Sequence, residues 1–381
     1  MLSCQRSLFQ IPEDEHYLNG AYMSPISLAV EAAGVAGSAR KRSPWTITAD
    51  DFFSEANRAR ALFARLVNAP DPSRIAIIPA ASYGLAIAAR NLPATRGQNL
   101  VVTHEQFPAN VHAWRRLATA RGVEMRVVEP PATVEGRGRG WNARVLEAID
   151  RQTAIVAIGH VHWTDGTRFD LEAIGAAARQ VGAALVVDGT QSLGAMPFDV
   201  ARIQPDALIA ATYKWLMGPY SMGFAYLGPR FDGGEPLEET WIGRAGSENF
   251  KDLVHYRDDY QPGALRYDVG ERTNFALMPM TIAALEQVLG WQPERIQEYC
   301  RVLTEPLVER VRTLGYAVED PEFRGAHIFG LRAPAGTDIT AIAERLRARK
   351  VYVSLRGSAI RVSPHVYNDA RDVEALMVAL Q

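Results

Sequence analysis

Two residues in this chain combine a reactive group with a setting that penalises its charge. In IAATYKWLMGP (Ile209 to Pro219) small and apolar residues lead into Lys214, and in ALVVDGTQS (Ala184 to Ser192) an apolar run ends on Asp188. A lysine or aspartate at the end of a strand covered on both faces loses water contact, a large penalty unless a specific partner offsets it. Taken singly, Lys214 reads as an amine snorkelling from the edge of a core, and Asp188 as a turn or cap acid. Both sit where an open α/β sheet collects its ligands, outside the carboxyl ends of the strands.

These are parts that a pyridoxal phosphate site needs. Such a site uses an amine to hold the coenzyme as a Schiff base and a carboxylate to keep the pyridine nitrogen protonated. It also needs free N–H groups at a helix N-terminus for the phosphate, and flat or apolar groups against the ring. RIAIIP (Arg74 to Pro79) runs into AASYG, and NLVVTH (Asn99 to His104) into EQFPAN, each opening a helix beyond a strand. A shared cofactor would give the amine and the acid a partner each.

The elements that must position these groups form a regular series. Strand candidates are Arg74 to Pro79, Asn99 to His104, Glu124 to Glu129, Ala154 to Val161, Ala184 to Asp188, Ala207 to Thr212 and Gly223 to Gly228. Several are apolar at successive positions, the pattern of strands buried on both faces of a mostly parallel sheet. Helical patterns separate them, and Ser82, Asn110 and Asp170 stand as N-caps. The reading is a doubly wound α/β sheet of about seven strands, followed by a smaller C-terminal α+β domain. The latter holds a long helix from Thr281 towards Leu314, strands YAVED and AHIFGLR, a helix near Asp338 to Arg349, a hairpin VYVSLRGSAIRVS and a last helix from Asp369. The expected division is an N-terminal segment 1–22, a large domain 23–275 and a small domain 276–381.

Composition excludes several classes. The 381 residues carry a formal charge of −2 with 22% charged residues, so general affinity for nucleic acid or an anionic membrane is not expected. The basic EGRGRGW (Glu135 to Trp141) reads as a solvated loop. Cys4 and Cys300 make neither a disulfide framework nor a metal spacing. No run approaches a membrane span, the first residues lack the apolar stretch of a signal peptide, and a cytoplasmic protein is expected. His160 and His162 alternate along one strand without a further ligand cluster, so no metal is expected. A nucleotide-binding dehydrogenase would need G-x-G-x-x-G after the first strand, which is missing.

VVDGTQSLGAMPFDV, ATYKWLMGP and GFAYLG together resemble the class V aminotransferases of the fold-type I pyridoxal phosphate enzymes. That family includes cysteine desulfurases, kynureninases and isopenicillin N epimerase-like proteins. The resemblance continues in YLNGA, EQFPAN and IRVSPHVYN and covers nearly the whole chain. It implies that Lys214 is the Schiff-base lysine and proton shuttle, Asp188 the partner of the pyridine nitrogen, and Gln191 the hydrogen-bond partner of the ring oxygen. Thr190 would pack under the ring and Phe107 cover its other face. Ala81 and Ser82 would form the phosphate cup, with Tyr213 adding a hydrogen bond. In GERTN, Thr273 or Asn274 would reach the phosphate of a partner subunit, making a homodimer with a composite site. Arg361 would clamp a substrate α-carboxylate, while Arg356 reads as a solvated residue that could otherwise meet a second acidic group.

Two departures bear on the reaction. Trp163 stands where desulfurases carry a small polar residue, and implies a pocket wall or an aromatic substrate contact. The stretch YVSLRGSAIRV lacks the nucleophilic cysteine that desulfurases place shortly before the arginine. The expectation is therefore a pyridoxal phosphate enzyme acting on an amino acid or similar small amine, transamination being the default. Epimerisation or racemisation, and cleavage at Cβ of a lyase or kynureninase type, are alternatives on the same scaffold. A non-catalytic regulatory protein of this fold is the alternative of another class.

Overall fold

Seven runs become the strands of one sheet; in six of them side chains alternate between two buried cores, while the edge strand Glu124–Val128 is largely exposed. The structure, a computed structural model, describes residues 2–133, 135–356 and 359–381. The chain opens with β1 (His16–Tyr17), α1 (Leu28–Ala39) and α2 (Ser54–Leu66). Strands and helices then alternate as β2 (Ile75–Ile78), α3 (Ala81–Asn91), β3 (Asn99–Thr103), α4 (Ala109–Arg121), β4 (Glu124–Val128), α5 (Arg137–Ala148) and β5 (Thr153–Gly159). They continue as α6 (Leu171–Gln180), β6 (Ala184–Asp188), α7 (Val200–Ile203), β7 (Ala207–Ala211) and β8 (Gly223–Leu227). The C-terminal elements are α8 (Leu277–Trp291), α9 (Pro293–Thr313), β9 (Phe329–Arg332), α10 (Ile339–Ala348), β10 (Val351–Tyr352), β11 (Ser354–Arg356), β12 (Ala359–Val362) and α11 (Ala370–Ala379).

The large sheet has the order β2-β8-β7-β6-β5-β3-β4, with β8 alone antiparallel to its neighbours. Leu185 and Val187 of β6 face one core with Phe63, Ile174 and Leu285; Ala184 and Val186 face the other with Leu85, Ile87 and Trp114. Burial on both faces explains the unbroken apolar runs. A third core gathers Leu307, Phe329, Ile342, Ile360 and Leu376 around the sheet β11-β12-β9. The N-terminal segment ties the two regions together: β1 pairs in parallel with β10, and the Ala21 carbonyl accepts from Gln191 Nε2. No helix among the described residues is long and apolar enough to cross a membrane.

The free edge of β2 is closed by a buried ion cluster. Asp268 accepts from Arg60 and from the Ile77 N–H at 2.8 Å and forms an ion pair with Arg272 at 2.9 Å, while Arg60 also donates to the Ile75 carbonyl. Edge N–H and C=O groups thus find partners instead of a second chain.

Several sequence expectations need correction. EGRGRGW is not a solvated loop: α5 begins at Arg137, and Trp141 is buried with its Nε1 donating to the Val128 carbonyl at 2.8 Å. Ser82 is not an N-cap, because α3 starts one residue earlier and Ala80 caps it without a side-chain bond. Asn110 lies inside α4, where its Oδ1 takes the indole N–H of buried Trp114 at 2.8 Å. Asp170 does cap α6. The long C-terminal helix is broken at Gln292, whose φ of 67° places Pro293 at the start of α9. YAVED forms only a bridge from Ala317 to Arg332, and the hairpin is confined to β11 and β12 because β10 pairs elsewhere.

Candidate active site

The carboxyl ends of β5, β6 and β7 open onto a chamber of about 270 Å³. Asp188 ends β6, and Lys214 follows three residues after β7; these strands are neighbours near the middle of the sheet. After Lys214 the chain turns sharply. Its carbonyl accepts from Met217 N–H at 3.0 Å, and Thr212 Oγ1 donates to the Pro219 carbonyl at 2.6 Å. Met217 and Ser221 both hold positive φ (56° and 67°), a conformation non-glycine residues rarely adopt. Gly194 is required here, since a Cβ would lie 2.2 Å from the Trp215 carbonyl oxygen. The lysine is thus carried on a turn held from both sides.

Lys214 is 5% exposed and Asp188 8%. No ion pair joins them within 4.0 Å among the described residues, so each faces the chamber. Burial lowers the Lys214 amine to about 8; Asp188 opposes this, and Arg361 and Arg356 add to it. Burial raises Asp188, against hydrogen bonds from Thr190 and the attraction of Lys214. The Thr190 N–H donates to Asp188 Oδ1 at 3.0 Å.

The other chamber residues supply shape and donors. Phe107 lies with its ring centroid 5.2 Å from Lys214 Nζ and packs edge-on against Trp163. Gln191 is oriented by Trp215, whose indole N–H can only donate and therefore fixes Oε1 as acceptor at 3.0 Å. Its Nε2 gives one proton to the Ala21 carbonyl and keeps the second. At the start of α3, Ala81 and Ser82 line the chamber, and their N–H groups have no protein acceptor among the described residues. Tyr213 also lines it. Thr273 and Asn274 do not line this chain's chamber. The Thr273 hydroxyl donates to the Phe52 carbonyl, and Asn274 Oδ1 accepts from the Ala276 and Leu277 N–H groups at the start of α8.

Arg361 forms the wall of an adjoining compartment of about 260 Å³. It sits in β12 opposite Ser354, donates Nη1 to the Trp163 carbonyl at 2.7 Å, and reaches Ser354 Oγ and Asn19 Oδ1 with Nη2. It is 1% exposed, its Nε has no partner, and no carboxylate pairs with it among the described residues. Burial, with Arg356 next, lowers it to about 10. Sequence reasoning missed Asn19 and Ser354 as the groups that aim this guanidinium; the quoted YLNGA was the only available signal for Asn19. Arg356 is only partly solvated: it is half-buried, lines the same compartment, and lies 5.3 Å over the Trp163 ring. His160 and His162 lie beyond the end of β5 and pack against Phe198 and Trp141 respectively. His162 is hydrogen-bonded to the His104 carbonyl and Thr164. No metal-like cluster of three or more His, Cys, Asp or Glu forms among the described residues.

An amine and an acid on adjacent strand ends, open helix N–H donors and flat side chains fit an anionic, aromatic aldehyde cofactor. A buried arginine without an acid fits a carboxylate ligand. Comparison with known proteins agrees with this chemistry. The family described as Aminotransferase class-V matches residues 45–376. An uncharacterised aminotransferase, YcbU of Bacillus subtilis, is 26% identical, over 83% of this chain and 80% of its own length. Isopenicillin N epimerase of Streptomyces clavuligerus is 24% identical, over 85% of this chain and 83% of its own. Among solved structures, the apo cysteine desulfurase of Thermococcus onnurineus NA1 superposes with a TM-score of 0.84 at 20% identity, covering 99% of this chain and 97% of that one. At that identity the likeness speaks for the fold alone.

Proposed function

This chain belongs to the class V aminotransferases, a family of pyridoxal 5'-phosphate enzymes, and we propose that it acts on a small amino acid through Lys214, with transamination as its reaction. The observation that carries the reading is Arg361: a buried cation without an acid, lining the adjoining compartment together with the buried Lys214 amine. Lys214 Nζ would hold the cofactor covalently, Asp188 its ring nitrogen, and Gln191 its ring oxygen. Thr190 and Phe107 would flank the ring, and the Ala81 and Ser82 N–H groups with Tyr213 would hold the phosphate. When bound, the cofactor supplies an electron-withdrawing ring that accepts the electron pair released at the substrate Cα.

The chain's own residues do the rest. Arg361, aimed by Asn19, Ser354 and the Trp163 carbonyl, binds the α-carboxylate and so orients the bonds at Cα relative to Lys214. Burial lowers the Lys214 amine below its ordinary value, which favours the neutral form able to take the Cα proton and return it. Phe107 and Trp163 line both compartments and pack edge-on against each other. Thr273 and Asn274, outside the chamber of their own chain, are proposed to complete a partner's site in a homodimer.

Cysteine desulfuration is disfavoured. Cys300 is fully buried in α9 with its thiol pushed up by burial, and Cys4 lies at Asn368; neither lines the chamber. Epimerisation is the second reading, favoured by the Streptomyces relative. Purified protein should show a visible absorption band that disappears in Lys214→Ala. Incubation with candidate amino acids should perturb the band and yield a keto acid; an inverted amino acid would move the assignment to epimerisation, and sulfide release from cysteine would restore desulfuration. A band that no amino acid perturbs would overturn the reading.

A further inference from the structure

Resting on that reading of Lys214 and Arg361, we propose that the substrate carries a second anionic group on its side chain, and that Arg356 binds it. The compartment beside Arg361 is lined by Lys214, Arg356, Arg361, Tyr22, Tyr213 and Tyr220 among others, and no described lining residue is acidic. Asp188 lines the inner chamber only. One α-carboxylate would neutralise one guanidinium and leave the other without a counter-charge. A cation-rich compartment with one anion too few selects a ligand that brings the second.

Arg356 is held as a reading group. Its guanidinium lies 5.3 Å over the Trp163 ring, and Trp163 is itself fixed by an Nε1 bond to the Glu105 carbonyl at 2.6 Å. The carbonyl of that same Trp163 binds Arg361 Nη1. One residue therefore sets the spacing of both guanidinium groups. Arg356 donates Nη1 to the adjacent Leu355 carbonyl at 3.1 Å, while its buried Nε has no partner. A stacked arginine with open N–H edges is preorganised for a carboxylate or phosphate, since the ring restrains its position without using its donors. The compartment of about 260 Å³ has room for an amino-acid-sized ligand.

The test uses the holoenzyme at neutral pH and follows its visible band during titration. L-glutamate and L-glutamine share shape and differ in side-chain charge; L-aspartate and O-phospho-L-serine distinguish carboxylate reach from phosphate. Glutamate, aspartate or phosphoserine should half-saturate at a concentration about tenfold or more below glutamine, as expected for a charge-assisted pair. Arg356→Met should abolish that preference and Arg356→Lys should retain only part of it. Calorimetric titration with glutarate and valerate, which lack an amine, reads the same preference without turnover. Equal saturation by the acidic amino acids and glutamine, or a preference that survives Arg356→Met, would overturn the proposal. Arg356-dependent glutarate binding with no amino acid perturbing the band would keep the anion site and overturn the amino-acid reading instead.

Discussion

Lys214 provides the sharpest physical test. It is one of only four lysines, the others being Lys41, Lys251 and Lys350. In cofactor-free protein its amine is held at about 8 instead of its ordinary 10.5, first by burial and then by Arg361 and Arg356, against the attraction of Asp188. At about 1.36 kcal/mol per pH unit that displacement corresponds to roughly 3 kcal/mol. The sign follows from proton counts. Below pH 8 both folded and unfolded chains carry the proton, and the full penalty for the buried charge is present. Between about 8 and 10.5 only the unfolded chain keeps it, so this group's contribution makes stability rise with pH until the penalty is gone. Protein labelled with ¹³C at lysine Cε should therefore give a Lys214 resonance titrating near pH 8, well below that of Lys350, which its bonds to Asp14 and Glu15 raise. Asp188→Asn should lower the Lys214 midpoint, and Arg361→Gln should raise it. A Lys214 midpoint above 10, or a downward move in Arg361→Gln, would refute the electrostatic account of the site.

Other consequences are open to simple measurement. Asp268→Asn leaves Arg60 and Arg272 buried without their shared acid, and should lower unfolding free energy by about 3–5 kcal/mol in chemical denaturation. Asn19→Ala removes an acceptor from Arg361 and from Ser354 Oγ; substrate half-saturation should rise about fivefold with the visible band unchanged. Trp215→Phe deletes the bond that orients Gln191 and should destabilise the fold by about 1 kcal/mol, seen as a lower denaturation midpoint. In native protein an alkylating reagent should modify Cys4 but leave Cys300 unreacted until unfolding.

Much of the architecture was legible because burial on both faces of a strand requires apolar side chains at successive positions, which holds for every strand of the large sheet except the exposed edge strand Glu124–Val128. All seven runs named from the sequence are strands of the one sheet, and Asp188 and Lys214 could be placed at strand ends by reading where each run stops. Local capping was less legible. Asn110 has the chemistry of a cap, yet Trp114 recruits it one turn in; Ser82 has that chemistry too, yet the helix begins before it. EGRGRGW looked solvated because arginine and glycine dominate it, while the burial of Trp141 decides its structure.

What this sequence determined alone was the order of buried strands and the residue types delivered to their ends, since both follow from runs of a few neighbours. Tertiary structure decided how those groups are aimed. Arg361 takes its orientation from Trp163, 198 residues away, and from Asn19, 342 residues away. Arg356 is partly withdrawn from solvent where the Trp163 ring meets it across the fold. A guanidinium's position and charge state depend on the groups that remove its water, and packing brings those groups from distant parts of the chain.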